Sequence, residues 1–134
     1  MRALVILACA AVLAGCGSNP PAPPPPAPSA RPEPEPRPKA AHCPPGRANC
    51  STASGRIIYI EAVDPDGDGD AHFVLAGRHG VTGPGTSVID VEKSMRPHPL
   101  PLLGDLVSAA GPVYRGSHGQ RQIQATELHV APVR

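Results

Sequence analysis

The sequence is short of aromatic residues and of net charge. Its 134 residues include no Trp, one Phe and two Tyr, so a folded core must be built from Val, Ile, Leu and Ala. The residues from Thr52 onward include seven Lys or Arg and nine Asp or Glu, which gives a formal charge of −2. Nucleic-acid-binding proteins use basic surfaces for phosphates and aromatic rings for bases. Because this chain has little of either, the sequence argues against a nucleic acid as its partner.

The sequence also lacks an apolar run of the length that crosses a bilayer, which is about 20 residues. Its apolar stretch at residues 3–13 is shorter, follows the positive charge of Arg2 and ends in the motif LAGC at residues 13–16. A positive start, a short apolar run and small residues are typical of a secretory signal. These residues resemble the signal peptide and lipobox of bacterial lipoproteins. An ordinary secretory signal that happens to contain a cysteine is the alternative.

In the lipoprotein family, the signal peptide is cut before the cysteine, and the cysteine thiol carries a diacylglycerol. The resemblance therefore implies that residues 1–15 are removed and that Cys16 is the lipidation site. Two or three acyl chains, palmitate included, give stable membrane anchoring where one chain does not. We expect an extracytoplasmic protein anchored to a bacterial cell membrane. An Asp after the cysteine would favour the inner membrane, and Gly17 leaves the outer membrane open as the destination.

Proline dominates the segment after the cysteine. The chain has 20 prolines, and their concentration in residues 17–41 excludes helix and sheet, since proline fixes φ and has no amide donor. Residues 16–42 are therefore predicted to be a disordered tether, extended as polyproline II. At about 3.1 Å per residue, the tether would reach roughly 75 Å. A ligand for a proline-recognising partner or for cell-wall polymer is the alternative interpretation.

Two cysteines follow the tether in the sequence CPPGRANC. Outside the cytoplasm, cysteines this close most often form a disulfide, and the Pro-Gly pair between them suits the turn that brings them together. A metal site that adds His42 would still lack a fourth ligand. We therefore predict a disulfide between Cys43 and Cys50, within a loop over residues 43–54.

Residues 55–134 are predicted to form one small all-β domain. Removing the signal and the tether leaves about 90 residues, enough for a modest core. β-branched runs alternate with turns rich in Gly, Asp and Pro, and prolines limit residues 93–101 to one short helical turn. Five strands are predicted, at residues 55–63, 71–76, 86–92, 106–114 and 120–131, with a bulge between Ala125 and Leu128 in the last.

This order of strands resembles the OB-fold, a small five-stranded barrel. The resemblance covers residues 55–131. It includes Gly55 at the opening of the first strand, the run GDLV at residues 104–107 before a strand with a central glycine, and the closing run IQATEL at residues 123–128. It implies a fold and no particular function. An open β-sandwich of the same strands is the alternative.

The turn DPDGDGD at residues 64–70 is the candidate metal site. Its four aspartates match positions one, three, five and seven of an EF-hand-like calcium loop. However, position twelve is Leu75, where the loop needs a bidentate Glu, and the flanking residues predict strands. The alternative is a solvated hairpin turn, in which Asp-Gly pairs are common. The candidate calcium ligands are Asp64, Asp66, Asp68 and Asp70.

His72 begins the second strand, directly after the acidic turn. A hydrogen bond from its imidazole to an Asp would lock the hairpin, and a metal or ligand role is the alternative. The Asp-Gly-Asp run also resembles thermonuclease-like enzymes, which use acidic calcium ligands on an OB-type barrel. That family needs arginines and a glutamate soon afterwards, whereas residues 71–85 hold Arg78 as their only Arg or Lys and contain no Glu.

The sequence has no pairing of a nucleophile with a general base that would indicate catalysis. OB-folds usually bind on strands two and three and at the adjoining rim, which here hold Phe73 and Arg78. We therefore predict a monomeric, non-catalytic OB-like binding module without a cofactor, presented at the cell envelope to a protein or polymer that the sequence does not identify. A calcium-binding envelope protein is the second interpretation, and a thermonuclease-like hydrolase is the third.

Overall fold

The computed structural model describes residues 34–61 and 67–133, which lie in one compact unit. Within these ranges it has six β-strands, one turn of 3₁₀-helix and no α-helix. None of the helical structure in these ranges is long and apolar enough to cross a bilayer. The predicted lipidation site Cys16 and the predicted calcium ligands Asp64 and Asp66 lie outside the described residues. The strands are β1 (Cys50–Glu61), β2 (Ala71–Ala76), β3 (Thr86–Val91), β4 (Leu106–Arg115), β5 (Arg121–Gln124) and β6 (Glu127–Ala131), and the 3₁₀ turn is Lys93–Met95.

The sheet closes on itself through five of these strands. β1 pairs antiparallel with β2, and β2 pairs antiparallel with β3. β3 then pairs parallel with β5, and β5 pairs antiparallel with β4. β4 pairs antiparallel with β1, which completes a ring-like sheet. β6 pairs antiparallel with the first half of β4. The predicted all-β class is therefore confirmed.

Residue alternation along β2 and β3 builds the core. β2 buries Ala71, Phe73 and Leu75, and the residues between them face outward. β3 alternates in the same way, with a period of two residues that sends successive side chains to opposite faces. The one Phe of the chain is fully buried among aliphatic side chains from the other strands. The largest fully buried side chains are Phe73, Ile57, Leu75, Ile89, Ile123, Val91 and Val107.

The predicted fifth strand is divided into β5 and β6, so the prediction of five strands is corrected to six. The two strands pair with the same strand, β4, in registers that differ by one residue. The residues between them form the predicted bulge: Ala125 N–H donates to Asp90 O at 2.8 Å, and Thr126 N–H donates to Ala110 O at 2.8 Å. Gly111 lies against this bulge, where a Cβ atom would collide with the backbone of Gln124. The bulge divides the strand because its amides bond to different strands.

β1 begins at Cys50, ahead of the predicted start at Gly55. Its first half pairs with β4 and its second half with β2, so residues 50–54 belong to the sheet. The predicted disulfide is present, with the Cα atoms of Cys43 and Cys50 separated by 5.8 Å. It joins the chain ahead of the sheet to the first residue of β1.

The residues just before the disulfide are packed on the sheet. Ala41 is buried, and its N–H donates to Ser108 Oγ at 2.9 Å. The next amide, at His42, donates to Glu127 Oε2 at 2.9 Å. The end of the predicted tether is thus part of the folded unit, because its backbone amides find acceptors on β4 and β6.

Candidate functional site

A row of polar side chains crosses the outer face of neighbouring strands. Glu61 on β1 is the register partner of His72 on β2, which is in turn the register partner of Asp90 on β3. Gln122 on β5 extends the row by donating from Nε2 to Asp90 Oδ2 at 3.0 Å. These positions alternate with core positions, so their side chains lie on the side of the sheet away from Phe73. We call Glu61, His72, Asp90, Gln122 and Gln120 the polar row.

His72 lies between two carboxylates. Its Nδ1 is 3.3 Å from Glu61 Oε2, and its Nε2 is 3.9 Å from Asp90 Oδ1. The nearer partner is therefore a Glu on the adjacent strand, whereas the sequence analysis expected an Asp. The imidazole connects β1, β2 and β3 across their outer face.

Asp90 is the most unusual member of the polar row. Its side chain is 16% exposed, and its Oδ1 has no hydrogen-bond partner among the described residues. Burial raises the pKa of Asp90, the negative charges of Asp70 and Asp68 raise it further, and the nearby His72 and the hydrogen bond from Gln122 lower it. A carboxylate with a perturbed pKa and an unpaired oxygen on an outer face is a candidate binding group.

Two glutamines form a directed chain of hydrogen bonds toward Asp90. Gln120 Nε2 donates to Gln122 Oε1 at 3.0 Å, and Gln122 in turn donates to Asp90. This chain leaves Gln120 Oε1 buried and without a partner among the described residues. A Cβ at Gly116 would meet the amide ends of both glutamines, and these side chains would have to shift to accommodate it. The polar row therefore contains unsatisfied acceptors at both Asp90 and Gln120, and both are covered by neighbouring atoms.

The described part of the acidic turn uses its carboxylates locally. Asp68 Oδ1 accepts the N–H of Asp70 at 2.9 Å, and Asp70 Oδ1 accepts the N–H of Lys93 at 3.0 Å. Among the described residues, no three His, Cys, Asp or Glu side chains are grouped so that they could hold a metal ion. Because Asp64 and Asp66 lie outside those residues, the calcium loop stays a prediction.

The aromatic and basic residues expected at the binding face lie elsewhere. Phe73 is fully buried in the core and cannot stack on a ligand. Arg78 is exposed and lines a separate cleft of about 490 Å³ with residues of β1 and of the chain before it. Two exposed rings lie beside the polar row instead. Tyr59 is two positions before Glu61 and so on the same side of β1, and Tyr114 is the register partner of Gln122.

Of the polar row, the sequence pattern indicated His72 but not Glu61, Asp90, Gln120 or Gln122. A signal for Asp90 exists, because it occupies an outward position between the core residues Ile89 and Val91. No local signal indicates that it lies next to His72 and Gln122.

Comparison with known proteins leaves the site to be interpreted from its own chemistry. No protein-family model matches the chain, and no curated protein matches its sequence. The polar row, with its desolvated carboxylate and two covered acceptors, is the candidate binding face among the described residues.

Proposed function

We propose that this protein is a lipid-anchored protein of the bacterial cell envelope that presents an OB-like β-barrel as a non-catalytic binding module. The resemblance of residues 1–16 to a lipoprotein signal peptide and lipobox supports the anchor. The Cys43–Cys50 disulfide supports an oxidising, extracytoplasmic location. The closed ring of strand pairings supports an OB-like barrel over an open sandwich.

The observation that carries the binding function is the desolvated carboxylate of Asp90. An unpaired buried acceptor costs about 1–3 kcal/mol. Oδ1 is covered in the structure, so a ligand that donates a hydrogen bond to it, and offsets that cost, must first displace the side chains around it. Gln120 Oε1 offers a second acceptor of the same kind. The polar row therefore favours a ligand with hydroxyl or ammonium donors.

A polyhydroxylated or amino-bearing polymer of the envelope fits this chemistry. Its hydroxyl or ammonium groups would donate to Asp90 and Gln120. Tyr59 would provide an aromatic surface for a sugar ring beside them. We place the polymer along the polar row, across β1, β2, β3 and β5.

Calorimetric titration with chito-oligosaccharides, in N-acetylated and deacetylated forms, tests this proposal. Asp90→Asn should weaken binding about tenfold or more, since a hydrogen bond to a charged group contributes about 1.5–3 kcal/mol. Glu92→Gln makes the same change at an exposed carboxylate outside the polar row and should leave the affinity unchanged. Equal affinities of native and Asp90→Asn protein would reject the polar row as the binding face, and no binding of either oligosaccharide would reject the ligand class.

The anchor has its own test. Cys16→Ser should release the protein from membranes, because it removes the thiol that carries the lipid. Continued labelling of that variant by a radioactive or clickable fatty acid would reject Cys16 as the lipidation site.

Calcium binding at residues 64–70 is the second candidate function. The observation in its favour is that the charges of Asp68 and Asp70 raise the pKa of Asp90, which places a negative field at this end of the polar row. Millimolar calcium should then raise the unfolding temperature, and Asp68→Ala should abolish that rise. The absence of any stabilisation by calcium in the native protein would reject this function.

A further inference from the structure

The loop before β4 carries the most exposed large aliphatic side chains among the described residues. Leu102 is 72% exposed and Leu103 is 65% exposed. Gly104 follows them with φ of +94°, a value that favours glycine and turns the chain back toward β4. We call Leu102 and Leu103 the leucine tip.

The leucine tip is held rigidly in its exposed position. Gly104 N–H donates to Ile57 O at 2.9 Å, and Ile57 N–H donates to Asp105 O at 2.9 Å. Asp105 Oδ2 accepts the N–H of Leu102 at 2.8 Å. Because the backbone on both sides is bonded, the leucines point outward as a fixed feature of the fold.

An apolar groove of about 370 Å³ continues from the leucine tip. Asp105 is the only charged residue among the described residues that line it. That carboxylate is buried, and its oxygens accept backbone N–H groups from Leu102 and Val133. Among the described residues, the tip and groove therefore form a continuous apolar surface without an unpaired charge, a kind of surface that marks contact with a protein or a membrane. The groove is also lined by Pro97, Pro99, Leu100, Val130, Pro132 and Val133.

The chain that leads toward Cys16 passes beside the leucine tip. Arg56 Nη1 donates to Gly104 O at 2.6 Å, and Arg56 Nη2 is 3.0 Å from Glu35 Oε1. Glu35 is thus connected through one side chain to the residue that directly follows the leucines. The ion pair also neutralises both charges at this position.

The length of chain between Glu35 and Cys16 limits how far the tip can lie from the proposed anchor. Fewer than 20 residues separate the two positions, which at about 3.1 Å per residue span at most roughly 60 Å. A tether whose reach matches the distance between two contacts raises the effective concentration of the weaker one. Two leucines that would bind a bilayer only weakly alone can then bind it from the tethered state.

We propose that the leucine tip inserts into the same lipid bilayer that holds the Cys16 anchor. The inference rests on the proposed function, because it requires that anchor. Insertion removes the exposed leucines from water, places no unpaired charge in the lipid and gives the domain a second membrane contact. The domain is then oriented on the membrane surface, whereas one tether alone would let it rotate freely.

The absence of Trp from the chain allows a direct test. The full chain, produced with its own leader so that Cys16 is lipidated, carries Leu103→Trp and is reconstituted in vesicles of phosphatidylethanolamine and phosphatidylglycerol. Replacing the lipids by brominated ones should quench the indole fluorescence, and the emission should be shifted to the blue. Adding Leu102→Ser should reduce partitioning of the tip into the bilayer about tenfold, because the burial of one leucine side chain is lost.

Tyr114→Trp is the matched control, since Tyr114 is also exposed but lies near the end of β4 far from the tip. Its fluorescence should not be quenched, which excludes the general affinity of Trp for lipid as the cause. If the Leu103→Trp protein floats with the vesicles but is not quenched, the inserted tip is rejected and the anchor stands. If the protein does not float with the vesicles, both the anchor and the inserted tip are rejected.

Discussion

Replacement of Asp90 by Asn should stabilise the folded protein at neutral pH. The carboxylate is desolvated by burial, and its Oδ1 has no hydrogen-bond partner among the described residues. Such an unpaired group costs about 1–3 kcal/mol. Asn keeps an acceptor for Gln122 and still leaves a polar atom unpaired at the Oδ1 position, so the gain comes from removing the buried charge. From the low end of that range we expect the free energy of unfolding to rise by about 1 kcal/mol, which raises Tm by about 4–8 °C for a domain of this size.

The stabilisation should disappear in acid. Because burial raises the pKa of Asp90, the contribution of this group to stability is fully present below the ordinary Asp pKa and is lost as the pH rises through the folded-state pKa. Native and Asp90→Asn proteins should therefore unfold at the same temperature near about pH 3 and diverge toward neutral pH. Scanning calorimetry over this range measures both, with Glu92→Gln as the exposed control. A lower Tm for Asp90→Asn at neutral pH would show that the attraction to His72 outweighs desolvation and would refute the reasoning.

Substitutions at three further places probe other parts of the fold. Asp105→Ala should lower the free energy of urea unfolding by about 2–4 kcal/mol, because two backbone N–H groups lose their acceptor, and Asp105→Asn should lose less. Replacing both Cys43 and Cys50 by Ser should cost about 2–3 kcal/mol for a small closed loop, and urea midpoints that do not respond to reductant would contradict this. The hydrogen bond from the His42 N–H lowers the pKa of Glu127, so its stabilisation is present above the ordinary Glu pKa and is lost as the pH falls through the folded-state pKa. Glu127→Gln should therefore lower the unfolding midpoint at neutral pH and leave it unchanged in acid.

The sequence predicted those strands whose core residues alternate locally. β2 matches its predicted bounds at Ala71–Ala76, and β3 differs by one residue at its end. The start of β1 was missed because residues 50–54 are small and mostly polar. They form a strand only because β4 supplies a partner, and a distant partner leaves no pattern in the local sequence.

The polar row was less predictable for the same reason. The outward positions of His72 and Asp90 follow from alternation, but their contact depends on the register between β2 and β3. Gln122 reaches Asp90 only because β5 pairs parallel with β3. That pairing closes the ring of strands, and ring closure is a property of the whole sheet.

The disulfide also determines what a protease can release. Residues 44–49 between its cysteines are exposed, and Arg47 offers a cleavage site to a trypsin-like protease. A cut there leaves the sheet joined to the segment that leads to Cys16, because the Cys43–Cys50 bond connects the two sides of the cut. Shedding of the domain by cleavage in this loop therefore requires a reductant as well as a protease.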